Sequence, residues 1–96
     1  MTGVQTCALP ICLHYWRTAK GDEVDFVLYG PRGLVAIEVK RSTRVRSDDT
    51  RGLHRFLADY PKAKAILTYT GTRAEHERGV DVVPLAQLLP QLLTFL

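Results

Sequence analysis

Asp25, Glu38 and Lys40 lie on two short segments, EVDFVLYG (Glu23–Gly30) and LVAIEVK (Leu34–Lys40), that each alternate in the manner of a half-buried strand. Between them Gly30-Pro31-Arg32-Gly33 reads as a turn, because proline presets φ and glycine closes it. If Pro31 and Arg32 form the loop, Gly30 faces Gly33, Tyr29 faces Leu34, Val27 faces Ala36, Asp25 faces Glu38 and Glu23 faces Lys40. On the other face Leu28 meets Val35, Phe26 meets Ile37 and Val24 meets Val39, so one register satisfies both faces. Directly opposed acids have β-carbons roughly 5 Å apart. They repel unless a positive charge sits between them. A Glu-x-Lys on an alternating strand is ordinarily a solvent-facing charge pair; opposed acids are what a purely structural strand would avoid. Mg²⁺ (or Mn²⁺), a hard cation that takes one or two carboxylates and completes its shell with water and phosphate, suits Asp25 and Glu38. Lys40 projects from the same face, placed to hold an attacking water or to neutralise charge developing on a phosphate. The neighbouring acids oppose the lowered pKa a general base needs, so the electrostatic role is the better one.

The elements that must position these residues follow from the pattern on either side. LHYWRT (Leu13–Thr18) reads as a strand, Ala19 to Asp22 as a turn, and the two segments above complete an antiparallel meander. A helix is predicted from about Ser47 to Asp59, with Ser47 as N-cap and Asp48 and Asp49 where the helix dipole favours negative charge. Leu53, Phe56, Leu57 and Tyr60 give it one apolar face, and Pro61 ends it. AKAILTYT (Ala63–Thr70) is a mostly apolar, central strand. Gly71 to Gly79 reads as a polar loop, Val80 to Val83 as a short strand, and Pro84 as the start of a leucine-rich helix. The order βββ-α-β-(β)-α is an α/β plan with a mixed sheet.

Ninety-six residues make one small domain, which buries about two thirds of its unfolded surface. The composition, 46% hydrophobic and 24% charged, is that of a globular chain. No run of about 20 apolar residues is present to span a membrane. The net charge is +3, concentrated from Lys40 to Lys64, where eight Lys/Arg stand against Asp48, Asp49 and Asp59. Such a band beside the acids suits a polyanion, and Arg41, Arg44 and Arg46, directly after Lys40, are placed to contact phosphates. An exposed loop and a solvated helix face are the ordinary alternatives. His14, His54 and His76 form no ligand pair, and Ser42 and Thr43 have no neighbouring base. Trp16 and Tyr15 read as packing aromatics rather than base-stacking ones.

The first twelve residues, MTGVQTCALPIC, carry no charge and show neither helical nor strand periodicity. They lack the basic start of a signal peptide, which predicts a cytoplasmic protein. They resemble translated sequencing-adapter DNA, which predicts residues 1–12 to be non-native and the domain to occupy 13–96. Cys7 and Cys12 both fall here, at no common zinc spacing.

The blocks WRT, GDEVDFVL and GPRGLVAIEVKRS, in order from Trp16 to Ser42, resemble a C-terminal domain of unknown function found on bacterial and archaeal AAA-type ATPases. The likeness continues through the helix, the AKAILTY strand and VVPLAQLL. That domain is similar to PD-(D/E)XK nucleases and Holliday-junction resolvases. The resemblance implies a restriction-endonuclease-like fold with Asp25 and Glu38 as metal-binding acids, Lys40 as the motif lysine and Glu23 as a possible accessory acid. It further implies DNA as partner and an ATPase domain upstream. The opening helix of that fold, a frequent source of another acid, belongs before Leu13 and is missing. No glycine-rich Lys-Ser/Thr loop occurs, so this chain does not contain the ATPase half. Two functions follow: metal-dependent hydrolysis of DNA, or an inactive nuclease-fold module that binds DNA or a protein for the ATPase.

Overall fold

The computed structural model describes the backbone of residues 5–8, 11–21, 23–30 and 33–95, and the side chains of residues 16–21, 23–30 and 33–92. The strands are β1 (Gln5–Ala8), β2 (Ile11–Arg17), β3 (Glu23–Gly30), β4 (Gly33–Lys40), β5 (Lys64–Tyr69), β6 (Glu75–Glu77) and β7 (Val80–Pro84). The helices are α1 (Arg51–Asp59), entered through a 3₁₀ turn (Ser47–Thr50), and α2 (Leu85–Phe95). The strands form one mixed sheet in the order β1-β2-β3-β4-β5-β7-β6. β1 to β4 are antiparallel neighbours, β5 runs parallel to β4 and β7, and β6 returns antiparallel on β7. This is the mixed α/β plan expected from the sequence. No helix among the described residues is long and apolar enough to cross a membrane.

Each helix covers one face of the sheet. α1 lays Leu53 and Phe56 on Trp16, Val27, Ala36, Ala65, Leu67, Val80 and Val82. The Trp16 and Phe56 rings meet edge to face at 5.4 Å, which settles Trp16 as a packing residue. α2 lays Leu88 on Val35, Ile37 and Ile66 across the other face. β5 is the central strand, flanked on both sides and buried from Ala65 to Tyr69. Its apolar run without alternation is what burial on two faces demands. α1 ends where proline forbids its continuation, with the Tyr60 N–H donating to the Phe56 carbonyl at 2.9 Å.

Three local expectations change. The segment Gly71–Gly79 is not wholly loop: Glu75–Glu77 pairs with β7 through a two-residue turn in which Arg78 and Gly79 both have positive φ. That is the geometry of a type I′ hairpin. Ser47 is not the N-cap: Arg46 is, and Asp49 accepts its backbone N–H at 2.8 Å. Residues within 1–12, read as without periodicity, supply β1 and the start of β2. Pro31 and Arg32 lie outside the described residues, but Gly30 and Gly33 pair as a two-residue loop requires.

Candidate active site

The β3–β4 register matches the expected one from Gly30–Gly33 through Phe26–Ile37. Beyond it the strands depart from regular pairing, and the cause lies on the other side of β3. His14 pairs with Val27 and Trp16 with Val24, so Tyr15 alone stands opposite both Asp25 and Phe26. That is a β-bulge, which twists the strand and re-aims its side chains. Val24 and Val27, three residues apart, are consequently both buried in the core beneath α1. Phe26 is 43% exposed. The expectation that Val24 shares a face with Phe26 and Leu28 is therefore corrected, because the extra residue reverses the alternation.

Asp25 sits in the bulge, and its Oδ2 accepts the Val39 N–H at 2.9 Å. A carboxylate thus takes the donor of a strand residue at the end of the regular ladder. The Asp25 and Glu38 side chains are hydrogen bonded to each other. Burial, this hydrogen bond and the Asp25 charge push the Glu38 carboxyl up from 4.5 to about 8; the Glu23 charge adds to the rise and Lys40 opposes it. At neutral pH Glu38 therefore holds a proton, and the two acids avoid the repulsion of paired charges.

Glu38 and Lys40 of β4 form one wall of a polar cleft of about 210 Å³. Asp48, Asp49, Arg51 and Gly52 of the turn and α1 form another, with Glu23 at its rim. Gly52 is required here: a β-carbon would overlap the Glu23 carbonyl oxygen, so its absence lets α1 approach β3 closely. Lys40 Nζ lies 3.7 Å from Asp49 Oδ1. Glu23, the possible accessory acid expected to face Lys40, instead pairs with Arg17 at 3.1 Å. Its charge still reaches Glu38.

The basic loop leaves β4 at this end of the sheet. Arg41, Arg44 and Arg46 are all exposed. The Thr70 N–H donates to the Ser42 carbonyl at 3.1 Å, tying the ends of β4 and β5 together. The buried Tyr69 hydroxyl donates to the Arg73 carbonyl at 2.6 Å, fixing the next loop beside it. The loop that carries the arginines thus leaves the sheet at the carboxyl ends of the parallel strands β4 and β5, where open α/β sheets bind ligands. His76 is engaged elsewhere, with Nδ1 2.6 Å from Asp81 on the β6 edge. A larger groove of about 460 Å³ opens at the hairpin end between Tyr29, Leu34, Tyr60 and Ala63, with Asp59 and Lys62 as its charged residues and no facing acids.

Of the residues singled out in the sequence, Glu38 stands against Asp25 and shares the cleft with Lys40; Asp49, which reads in the sequence only as a helix-dipole charge, lines that cleft too. Among the described residues no group of three or more His, Cys, Asp or Glu is placed to hold a metal ion between them. Asp25 and Glu38, side by side, could supply two oxygen ligands to a hard cation, which would need water or phosphate for the rest of its shell.

The family described as a domain of unknown function, DUF4143, matches residues 4–88, and the chain belongs to it. No curated protein and no solved structure matches the chain.

Proposed function

We propose that this DUF4143 domain is the nuclease-like part of an AAA-type ATPase, with a PD-(D/E)XK-type site that hydrolyses DNA phosphodiesters with Mg²⁺ or Mn²⁺. The observation that carries the reading is the contact between Asp25 and Glu38 at the bulge, with Glu38 and Lys40 lining one polar cleft. Asp25 and Glu38 would hold the cation, which would polarise the phosphate and favour deprotonation of water. Asp25 is kept in place by the Val39 N–H, and Glu38 gives up its proton when it takes on a ligand. Lys40 stabilises negative charge as water attacks phosphorus and the P–O bond to the leaving sugar breaks. Arg41, Arg44 and Arg46 hold the flanking phosphates through their charge, which fixes position without reading sequence.

The test is nicking of plasmid and cleavage of branched DNA by the purified chain in Mg²⁺ and in EDTA. Metal-dependent cleavage abolished by Asp25→Ala and Lys40→Ala is expected; cleavage that survives both substitutions refutes the assignment.

A second reading has its own support: the cleft is internally satisfied, with Glu38 protonated on Asp25, Asp25 bound to Val39 and Lys40 paired with Asp49. A module that no longer cuts, and binds DNA or a protein partner for the ATPase, would have this arrangement. It requires DNA binding that is indifferent to EDTA and lost when Arg41, Arg44 and Arg46 are neutralised.

A further inference from the structure

We infer that Asp49 is a positioning residue for Lys40, and that through it the arginine loop is mechanically joined to the cleft. The inference deepens the hydrolytic reading and rests on it. Asp49 is only 22% exposed at its side chain, and its two oxygens have separate partners. Oδ2 accepts the Arg46 N–H at 2.8 Å, while the Asp49 N–H donates back to the Arg46 carbonyl at 2.9 Å. The first bond is the carboxylate half of a capping box and the second is the opening bond of the 3₁₀ turn, so the carboxylate is fixed to its own backbone independently of the lysine. Oδ1 is thereby left facing Lys40 Nζ at 3.7 Å.

The wall that carries Asp49 is itself set by packing. Thr50 is fully buried and donates from Oγ1 to the Ser47 carbonyl at 3.3 Å. Leu53 and Phe56 anchor α1 in the core, and Gly52 brings it against the Glu23 carbonyl. A lysine is a point charge on a flexible stem, so a pre-fixed acid across the cleft decides where that charge rests. With Asp49 present, Nζ is held in the cleft that Glu38 also lines. The carboxylate that holds it also holds the backbone at Arg46, the end of the loop that would bear the phosphates.

The decisive variant is Asp49→Asn. Its amide oxygen can still accept the Arg46 N–H, but the charge that attracts Lys40 is gone. The first readout is independent of activity: ¹³C-dimethylation of the four lysines, which preserves their charge, and the methyl NMR spectrum at one pH without metal. Lys40 is expected to resonate apart from Lys20 and Lys62 in the wild type and to move toward them in Asp49→Asn, at unchanged Tm; Lys64 is itself paired with Asp81 at 3.6 Å. The second readout is plasmid nicking, in which kcat should fall about ten- to a hundredfold with KM nearly unchanged, the scale of a misplaced catalytic group. Asp49→Glu, which keeps the charge, should recover part of that loss. A Lys40 signal unmoved in Asp49→Asn overturns the inference, as does a loss confined to KM. Absence of metal-dependent nicking in the wild type overturns the hydrolytic reading and the kinetic consequence, while the lysine spectrum still decides whether Asp49 places Lys40.

Discussion

Replacing Glu38 by glutamine should stabilise the protein, and by an amount that depends on pH. Glu38 titrates near 4.5 when unfolded and at about 8 in the folded chain, so between those values the folded state binds the extra proton. Stability of the wild type therefore falls as pH rises through that window; the penalty is absent below about 4.5 and complete above about 8. At about 1.36 kcal/mol per pH unit the shift sets a ceiling of about 5 kcal/mol. Glu38 is only half-buried, and solvent screening at an open cleft reduces this to about 1–2 kcal/mol. Glutamine keeps the shape and can donate its amide N–H to Asp25 but has no charge to bury. For a domain of this length about 1 kcal/mol moves Tm by about 4–8 °C. Thermal unfolding by circular dichroism in EDTA should therefore give equal Tm values at pH 4. At pH 9 Glu38→Gln should melt higher by about 5–15 °C. A difference that is flat with pH, or a wild type that gains on the mutant as pH rises, refutes the placement of Glu38 against Asp25. Added Mg²⁺ at pH 8 should raise the wild-type Tm and leave Glu38→Gln nearly unchanged, since the ion replaces the proton between the acids.

Other expectations test the elements around the pair. Gly52→Ala should cost about 1–3 kcal/mol in urea unfolding, because its β-carbon meets the Glu23 carbonyl of a packed strand rather than a flexible side chain; a neutral result would mean α1 does not approach β3 this closely. Thr68→Val should be neutral or stabilising by up to about 2 kcal/mol, since the buried Thr68 hydroxyl has no hydrogen-bond partner among the described residues; a clear loss of stability refutes that environment. Neutralising Arg41, Arg44 and Arg46 together to glutamine should weaken DNA binding on all sequences alike. It should also flatten the log–log salt slope by about 3 in fluorescence anisotropy titrations; an unchanged slope removes the loop from the interface.

The parts legible in the sequence were those governed by local rules. The β3–β4 register followed from a turn that permits one loop length and from two faces that agree on it, and the Leu53, Phe56 stripe marked α1. β6 was hidden because Glu75, His76 and Glu77 are all polar and their pairing depends on the positive φ of Arg78 and Gly79. The bulge was hidden for a different reason. Inserting one residue into an alternating strand leaves a string that still alternates on paper, and only pairing with β2 reveals that Val24 and Val27 share a face. Asp49 was visible as a charge near a helix start. Its partnership with Lys40 depends on how closely Gly52 lets that helix approach the sheet, which is a tertiary quantity.

The bulge also gives the acid pair its physical meaning. An ordinary sheet end would satisfy the Val39 N–H from a backbone carbonyl and place an uncharged β-branched residue at position 38. This one spends a carboxylate on that donor and sets a second acid against it, where burial and repulsion keep Glu38 protonated at neutral pH. In a domain whose whole stability is of order 5–10 kcal/mol, even about 1–2 kcal/mol lost at one residue is a large fraction. Packing alone offers nothing in return, since Glu38 is half-buried beside a polar cleft rather than in either hydrophobic cluster. Local arrangements that oppose stability in an otherwise consistent fold are where function is expected. The bulge is the element that creates this one, because without the extra residue Asp25 would continue the regular ladder and Val39 would have its backbone partner.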